Sequence, residues 1–201
     1  WLGLQLQFSA SQATPVWPPS GVAIGLTFLF GVRLVPGVVI GAFVANFLDF
    51  CLKGYVLSDA VIAAGFISLG AMLEAWLALI MLRLLLGERF ISDTSSDIVG
   101  FVGTIAVACL LSASVGVVTF VALGLLPFSL ASSVFFTWWV GDVIGGLLFV
   151  PCLLLFLGTG SKSLPELGRM IAPVIWPLSG LVALSVAIFL SSWDLLFVTA
   201  Q

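Results

Sequence analysis

The residues of this sequence best placed to do chemistry are two carboxyls set in long apolar runs. Glu74 lies 16 residues beyond Ser58 within the stretch Ser58 to Leu86, about 24 Å along a helix. Its neighbours at three and four positions are Gly70, Ala71 and Ala78, with Ala60, Ala63 and Ala64 further up the stretch. Small residues let another helix approach closely, so this carboxyl is expected to point into protein. There it must find a donor or take up a proton. Asp142 lies within Thr137-Trp138-Trp139-Val140-Gly141-Asp142-Val143-Ile144-Gly145-Gly146, about 16 Å along a helix from Ala131. Trp138 and Trp139 are one turn to one side of it, Gly145 and Gly146 one turn to the other. Ionisable groups at such depth are expensive, and each needs a reason. Two reasons compete: a ligand or proton role, or a fixed structural hydrogen bond.

Two further features are polar where the chain is otherwise apolar. Asn46, Asp49 and Lys53 share one helical face, and Asp49 and Lys53, four apart, are expected to pair structurally. The stretch Ala13-Thr14-Pro15-Val16-Trp17-Pro18-Pro19-Ser20-Gly21 cannot be regular helix, because proline removes donors and restricts its predecessor. Ser20 is expected to cap a helix beginning near Gly21. The residues from there to Gly31 are too few to span a bilayer, so the proline turn must dip into the membrane. Irregular backbone at depth needs protein or a wet cavity around it. Trp17 and its turn are therefore expected to line an outward-facing vestibule. The pairs Gly21/Gly25, Gly37/Gly41 and Gly141/Gly145 are most simply packing contacts.

Other chemistries are excluded. The chain contains no histidine, which removes His-ligated haem and zinc and any Ser–His nucleophile. Ser68, Ser112 and Ser114 therefore have no base to activate them. Cys51, Cys109 and Cys152 lack pair spacing and read as small buried apolar residues. No phosphate loop, metal cluster or nucleophile–base pair is present in the sequence. No catalytic residue, cofactor or metal is expected. Nine acids against six bases are too sparse for a nucleic-acid patch.

The elements that must position these groups follow from composition. Of 201 residues, 62% are hydrophobic and 7% charged, and the mean hydropathy is +1.32. Soluble domains carry about 25% charged residues, so this is an all-α integral membrane protein, a polytopic helical bundle. Breaks divide it into seven spans plus the start of an eighth. These are the tail Trp1 to Phe8, a short segment Val16 to Phe30, then Leu34 to Phe50, Ser58 to Leu86, Asp97 to Leu123, Ala131 to Leu157, Ile171 to Leu190, and Leu195 onward. Glu88, Ser92, Asp93 and Asp97 fall in a solvated loop between spans. With the N-terminus cytoplasmic, Arg33, Arg83, Arg89, Lys162 and Arg169 lie inside and only Lys53 outside, the positive-inside pattern. Tyr55 and Trp193 then sit at outer edges as interfacial aromatics. The start at Trp1 and the end at Gln201 within a hydrophobic stretch predict a single membrane domain, residues 1–201, truncated at both ends.

Four stretches taken in order resemble the first MASE family, the membrane-associated sensor domains of bacteria. They are Ala13 to Ala23 (Ala-Thr-Pro-Val-Trp-Pro-Pro-Ser-Gly-Val-Ala), Pro36 to Asn46, Leu73-Glu74-Ala75, and Thr137-Trp138-Trp139-Val140-Gly141-Asp142. The resemblance covers roughly Ala13 to Leu157. It implies a multi-span sensory module of the bacterial cytoplasmic membrane, upstream of a cytoplasmic histidine kinase, diguanylate cyclase or phosphodiesterase domain beyond residue 201. It also implies a sensing core at Trp17, Pro18, Asn46, Glu74, Trp138 and Asp142, to which the readings above add Ser20 and Trp139. One departure is Ala71 after Gly70, where the family often has Asn.

The expected function is sensing without catalysis. A small molecule, lipid or protein would occupy a cavity framed by Trp17, Asn46, Glu74 and Asp142, and helix rearrangement would pass the signal to a covalently linked kinase or cyclase in a homodimer. The alternatives are a small proton-coupled transporter, with the carboxyls as relay and the proline-broken helix as gate, and a module that recruits another membrane protein. The lack of an inverted repeat argues against the transporter.

Overall fold

The computed structural model describes residues 16–86 and 95–157. Among these it is all-helical, with no strand. The order is α1 (Pro18–Phe30), a 3₁₀ turn (Val32–Leu34), α2 (Val35–Leu52), α3 (Leu57–Leu86), α4 (Ser95–Ala122), a second 3₁₀ turn (Phe128–Leu130) and α5 (Ala131–Leu157). Residues 16–154 fall in one compact unit, and the contacts that build the candidate site all lie within it.

Four helices are long and apolar enough to cross a membrane: 32–52, 57–85, 96–122 and 128–157. They coincide with the third to sixth segments read from hydropathy. The count of seven spans is not supported among the described residues, because the second segment becomes α1, an apolar helix of 13 residues. At about 20 Å it falls short of the hydrocarbon thickness. The first, seventh and eighth segments, with Trp193, Glu88, Arg89, Ser92, Asp93, Lys162 and Arg169, lie outside the described residues.

Local sequence explains the ends. Pro18 opens α1, where its missing N–H would have no helical partner. The helix stops at Gly31, whose φ of 76° suits glycine and whose N–H donates to the Thr27 carbonyl at 2.8 Å. Arg33 sits in the 3₁₀ turn that follows, and Pro36 lies in the first turn of α2. Asp97 is in the first turn of α4 rather than in a loop; a carboxylate there complements the helix dipole.

The packing has a definite sense. Gly70 faces Ser112 and Val115, and Gly100 faces Leu85, so α3 and α4 run antiparallel. Gly21 lies against Gly145, and Gly25 against Leu153, so α1 runs parallel to the second half of α5. A Cβ placed on Gly31 would be 3.7 Å from the Arg83 guanidinium. Arg33 and Arg83 therefore mark one end of the bundle, and Lys53 the other, as the charge pattern predicts. Lys53 pairs with Asp49 at 2.7 Å, also as expected. Tyr55 packs on Phe50 with ring centroids 5.3 Å apart.

Two apolar clusters form the interior. One includes Phe50, Ala60, Ala64, Phe120 and Val134; the other includes Ile24, Ala78, Leu82, Ile105 and Val150. Glu74 on α3, Ser112 on α4 and Asp142 on α5 all fall between the two clusters in chain order and are buried. A thin polar layer thus separates two apolar ones. The exterior is rich in exposed Leu, Val, Ile and Phe, among them Ile40, Val44, Leu48, Phe66 and Val118. Such a surface suits hydrocarbon.

Candidate functional site

The proline turn is where the polar layer is built. Trp17 donates its backbone N–H to the Gly141 carbonyl at 2.9 Å. A Cβ on Gly145 would stand 2.0 Å from the Trp17 carbonyl oxygen, and one on Gly21 would stand 2.1 Å from the Gly145 oxygen. Only glycine permits this approach of backbone to backbone. The start of α1 is thereby held beside the middle of α5, about 15 Å from Ala131 along the helix. The proline turn thus lies beside the middle of a helix long and apolar enough to cross a membrane.

Ser20 does not cap. The helix begins at Pro18 with Trp17 in the cap position and no side-chain cap bond. Proline's fixed φ starts the helix earlier than a serine cap would. Ser20, inside the first turn, instead donates its hydroxyl to Asp142 Oδ1 at 2.8 Å. Asp142 is fully buried, and its second oxygen, Oδ2, has no hydrogen-bond partner.

Glu74, only 2% exposed, faces the same layer from α3. Its Oε1 accepts from the Cys109 thiol at 3.5 Å, while Oε2 is buried without a partner. Ser20 and Ser112 stand beside both carboxyls. The Ser68 hydroxyl, two turns away, is consumed by the Ala64 carbonyl.

Next to this layer is a cavity of about 450 Å³. Trp17, Ser20, Asn46, Glu74, Ser112 and Trp138 bring polar or aromatic groups to its wall, and Val22, Leu26, Leu34, Val38 and Ile67 make much of it apolar. Asn46 turns its amide N–H to the Ala42 carbonyl of its own helix at 2.8 Å. Trp138 lies over Gly116, where a Cβ would be 2.5 Å from the indole, and packs on Phe120 with centroids 5.8 Å apart.

The MASE1 family model matches residues 1–201, the whole chain. The chain belongs to the MASE1 family. No curated protein and no solved structure matches it. MASE1 is a membrane-associated sensor domain, a sensory input domain of signalling proteins that is not itself catalytic. The apolar helices accord with that membrane setting.

Within this MASE1 domain, five residues singled out from sequence share the cavity wall: Trp17, Ser20, Asn46, Glu74 and Trp138. Three stand apart from it. Pro18 starts α1 without lining the cavity. Asp142 does not line the cavity but touches residues that do, bonding to Ser20 at 2.8 Å and standing beside Ser112 and Glu74. Trp139 points elsewhere, donating its indole N–H to the Ala106 carbonyl at 2.8 Å and packing on the second apolar cluster. Adjacent positions on a helix diverge by about 100°, so two neighbouring tryptophans cannot face one site.

Some readings need correction. Gly37 and Gly41 are not packing contacts: a Cβ on either would meet nothing within 4 Å, and both line the cavity. Their missing side chains leave it open. Ser112, set aside for want of a histidine, is a cavity residue, and Cys109 is a partner of Glu74. Their spacing of three on α4 puts them on one helical face, which is the sequence signal that could have found them. Cys51 is exposed and Cys152 half-buried, so only Cys109 is the small buried residue expected.

Proposed function

We propose that this MASE1 domain is the transmembrane input module of a bacterial signalling protein with a histidine kinase, diguanylate cyclase or phosphodiesterase output. It sits in the cytoplasmic membrane with its N-terminus inside and works as a homodimer. The signal, a small molecule, lipid or segment of a partner protein, occupies the cavity walled by Trp17, Asn46, Glu74 and Trp138. The observation that carries this reading is Glu74, a buried carboxyl that contributes to the wall of the cavity and accepts a long hydrogen bond, 3.5 Å, from the Cys109 thiol. A carboxyl placed beside an open cavity with so weak a partner is suited to a ligand.

Occupancy acts on an equilibrium of helix arrangements and shifts it by the ligand's differential affinity for the two states. Two elements are suited to respond. The half-length helix α1 carries Ser20, and hence the contact to Asp142, at one end and Arg33's turn at the other. Helix α2 has only 11% of its span buried, against 44% for α3 and 50% for α4, and it carries Asn46 and the cavity glycines Gly37 and Gly41, so a ligand in the cavity bears directly on it.

The test is output activity of the full-length signalling protein bearing Glu74→Gln or Asp142→Asn, with membrane abundance and melting measured alongside. Lost or locked signalling at unchanged abundance and melting is expected. Normal signal response in both variants would reduce the carboxyls to structural partners. A proton-coupled carrier is the second reading, favoured by the pairing of two carboxyls beside a broken helix. Proton uptake driven by a substrate gradient in proteoliposomes of the full-length protein would establish it.

A further inference from the structure

The cavity's chemistry narrows the class of ligand, an inference that rests on the sensing role proposed above. Among the described residues that line it there is no Lys, Arg or His, and Glu74 is the one ionisable group. Its free oxygen accepts and, when ionised, cannot donate. Asp142 lies behind Ser20 with a second unpartnered oxygen. An anionic ligand, whether phosphate, carboxylate or sulfonate, would bring a third acid into a low-dielectric layer with nothing to neutralise it. A cation has the opposite fate: the Glu74 carboxylate at the wall can accept a charge-assisted hydrogen bond from it. The rest of the wall serves an apolar body. Gly37 and Gly41 clear the space, and Trp17 and Trp138 line it, aromatic residues compatible with both hydrocarbon and cation.

We infer that the cavity between α1, α2 and Glu74 takes a hydrophobic amine, its ammonium group donating to the Glu74 carboxylate and its apolar body lying against α2. A neutral ligand with a carbonyl, bound to a protonated Glu74, is the competing chemistry, and the two part on one substitution. Gln at position 74 keeps a donor for a carbonyl but loses the charge an ammonium needs.

The test uses three probes that share one compact apolar body: 1-aminoadamantane, 1-adamantanol and 1-adamantanecarboxylate. Each is titrated to millimolar concentration against the full-length protein in lipid nanodiscs, with the melting temperature as readout, since a ligand that binds only the folded state raises it. The amine is expected to stabilise the wild type with an apparent affinity at least about tenfold better than the alcohol or the carboxylate. Glu74→Gln should remove that preference, and Gly41→Leu, which fills the cavity without touching the carboxyl, should abolish binding of the amine. No stabilisation by the amine, or equal stabilisation by the carboxylate, overturns the inference without any variant. Binding of the alcohol that survives Glu74→Gln but not Gly41→Leu overturns the amine and leaves the sensing cavity standing. Amine binding indifferent to both substitutions overturns the two readings together.

Discussion

The glycines of α1 and α5 and the glycines of α2 carry the same four-residue spacing and serve opposite ends. At Gly21 and Gly145 a methyl group would collide with backbone oxygen at 2.1 and 2.0 Å, whereas at Gly37 and Gly41 it would touch nothing within 4 Å. In the first region the absent side chain allows contact. In the second it maintains a void. The two regions meet at Ser20, which bonds to Asp142 on the packed side and lines the cavity on the open one. A small-residue motif therefore states only that no side chain is present. What occupies the vacated space depends on the neighbouring helix.

That contrast can be broken by substitution. The largest effect is expected at Gly145→Ala, because the added methyl meets a carbonyl held by backbone rather than a side chain that can swing away. Overpacking of this kind costs about 3 kcal/mol, read as lower membrane abundance and a lower melting temperature of the full-length protein. Melting equal to wild type would show that α1 is not seated on α5 at Trp17.

Ser20→Ala tests the hinge between the regions. It removes the 2.8 Å hydrogen bond to buried Asp142, at a cost of about 1–3 kcal/mol, and should change signalling more than Pro19→Ala, which removes no donor. If Ser20→Ala melts like wild type and signals normally, the Ser20–Asp142 bond has no share in stability or transmission. Smallest of all is the expected effect of Gly37→Ala or Gly41→Ala on stability. With open space to receive it, a methyl group there leaves the stability unchanged or raises it by up to about 1 kcal/mol through helix propensity, read as an unchanged or higher melting temperature. A loss comparable with that of Gly145→Ala would erase the distinction between the two regions.

Much of the site was legible before any fold was known. Glu74 and Asp142 declared themselves because charge inside an apolar run is costly. Trp17 did so because two prolines and too few residues required its turn to sit at depth. Ala60, Ala63, Ala64 and Ala78 marked the buried face of α3, and all are fully or nearly fully buried. Other parts were not legible. Ser20 looked like a cap because serine before an apolar run usually is one, yet its hydroxyl reaches a residue 122 positions away. Trp139 was grouped with Trp138 by adjacency, although their side chains enter different neighbourhoods. Ser112 lacked a histidine and so carried no recognisable chemistry, but a hydroxyl beside two carboxyls needs none.

By itself the sequence determined the membrane setting, the positions of the four long apolar helices among the seven spans it suggested, and the burial of the two carboxyls within them, since each follows from hydropathy and from the cost of charge in an apolar run. Tertiary structure alone decided which groups come together: Glu74 with Ser112, Trp17, Gly37 and Gly41 around one cavity, and Asp142 with Ser20 beside it. Periodicity names the face of a helix on which a residue lies. Only the packing of helices far apart in sequence decides whether that face meets backbone, a carboxyl or open space.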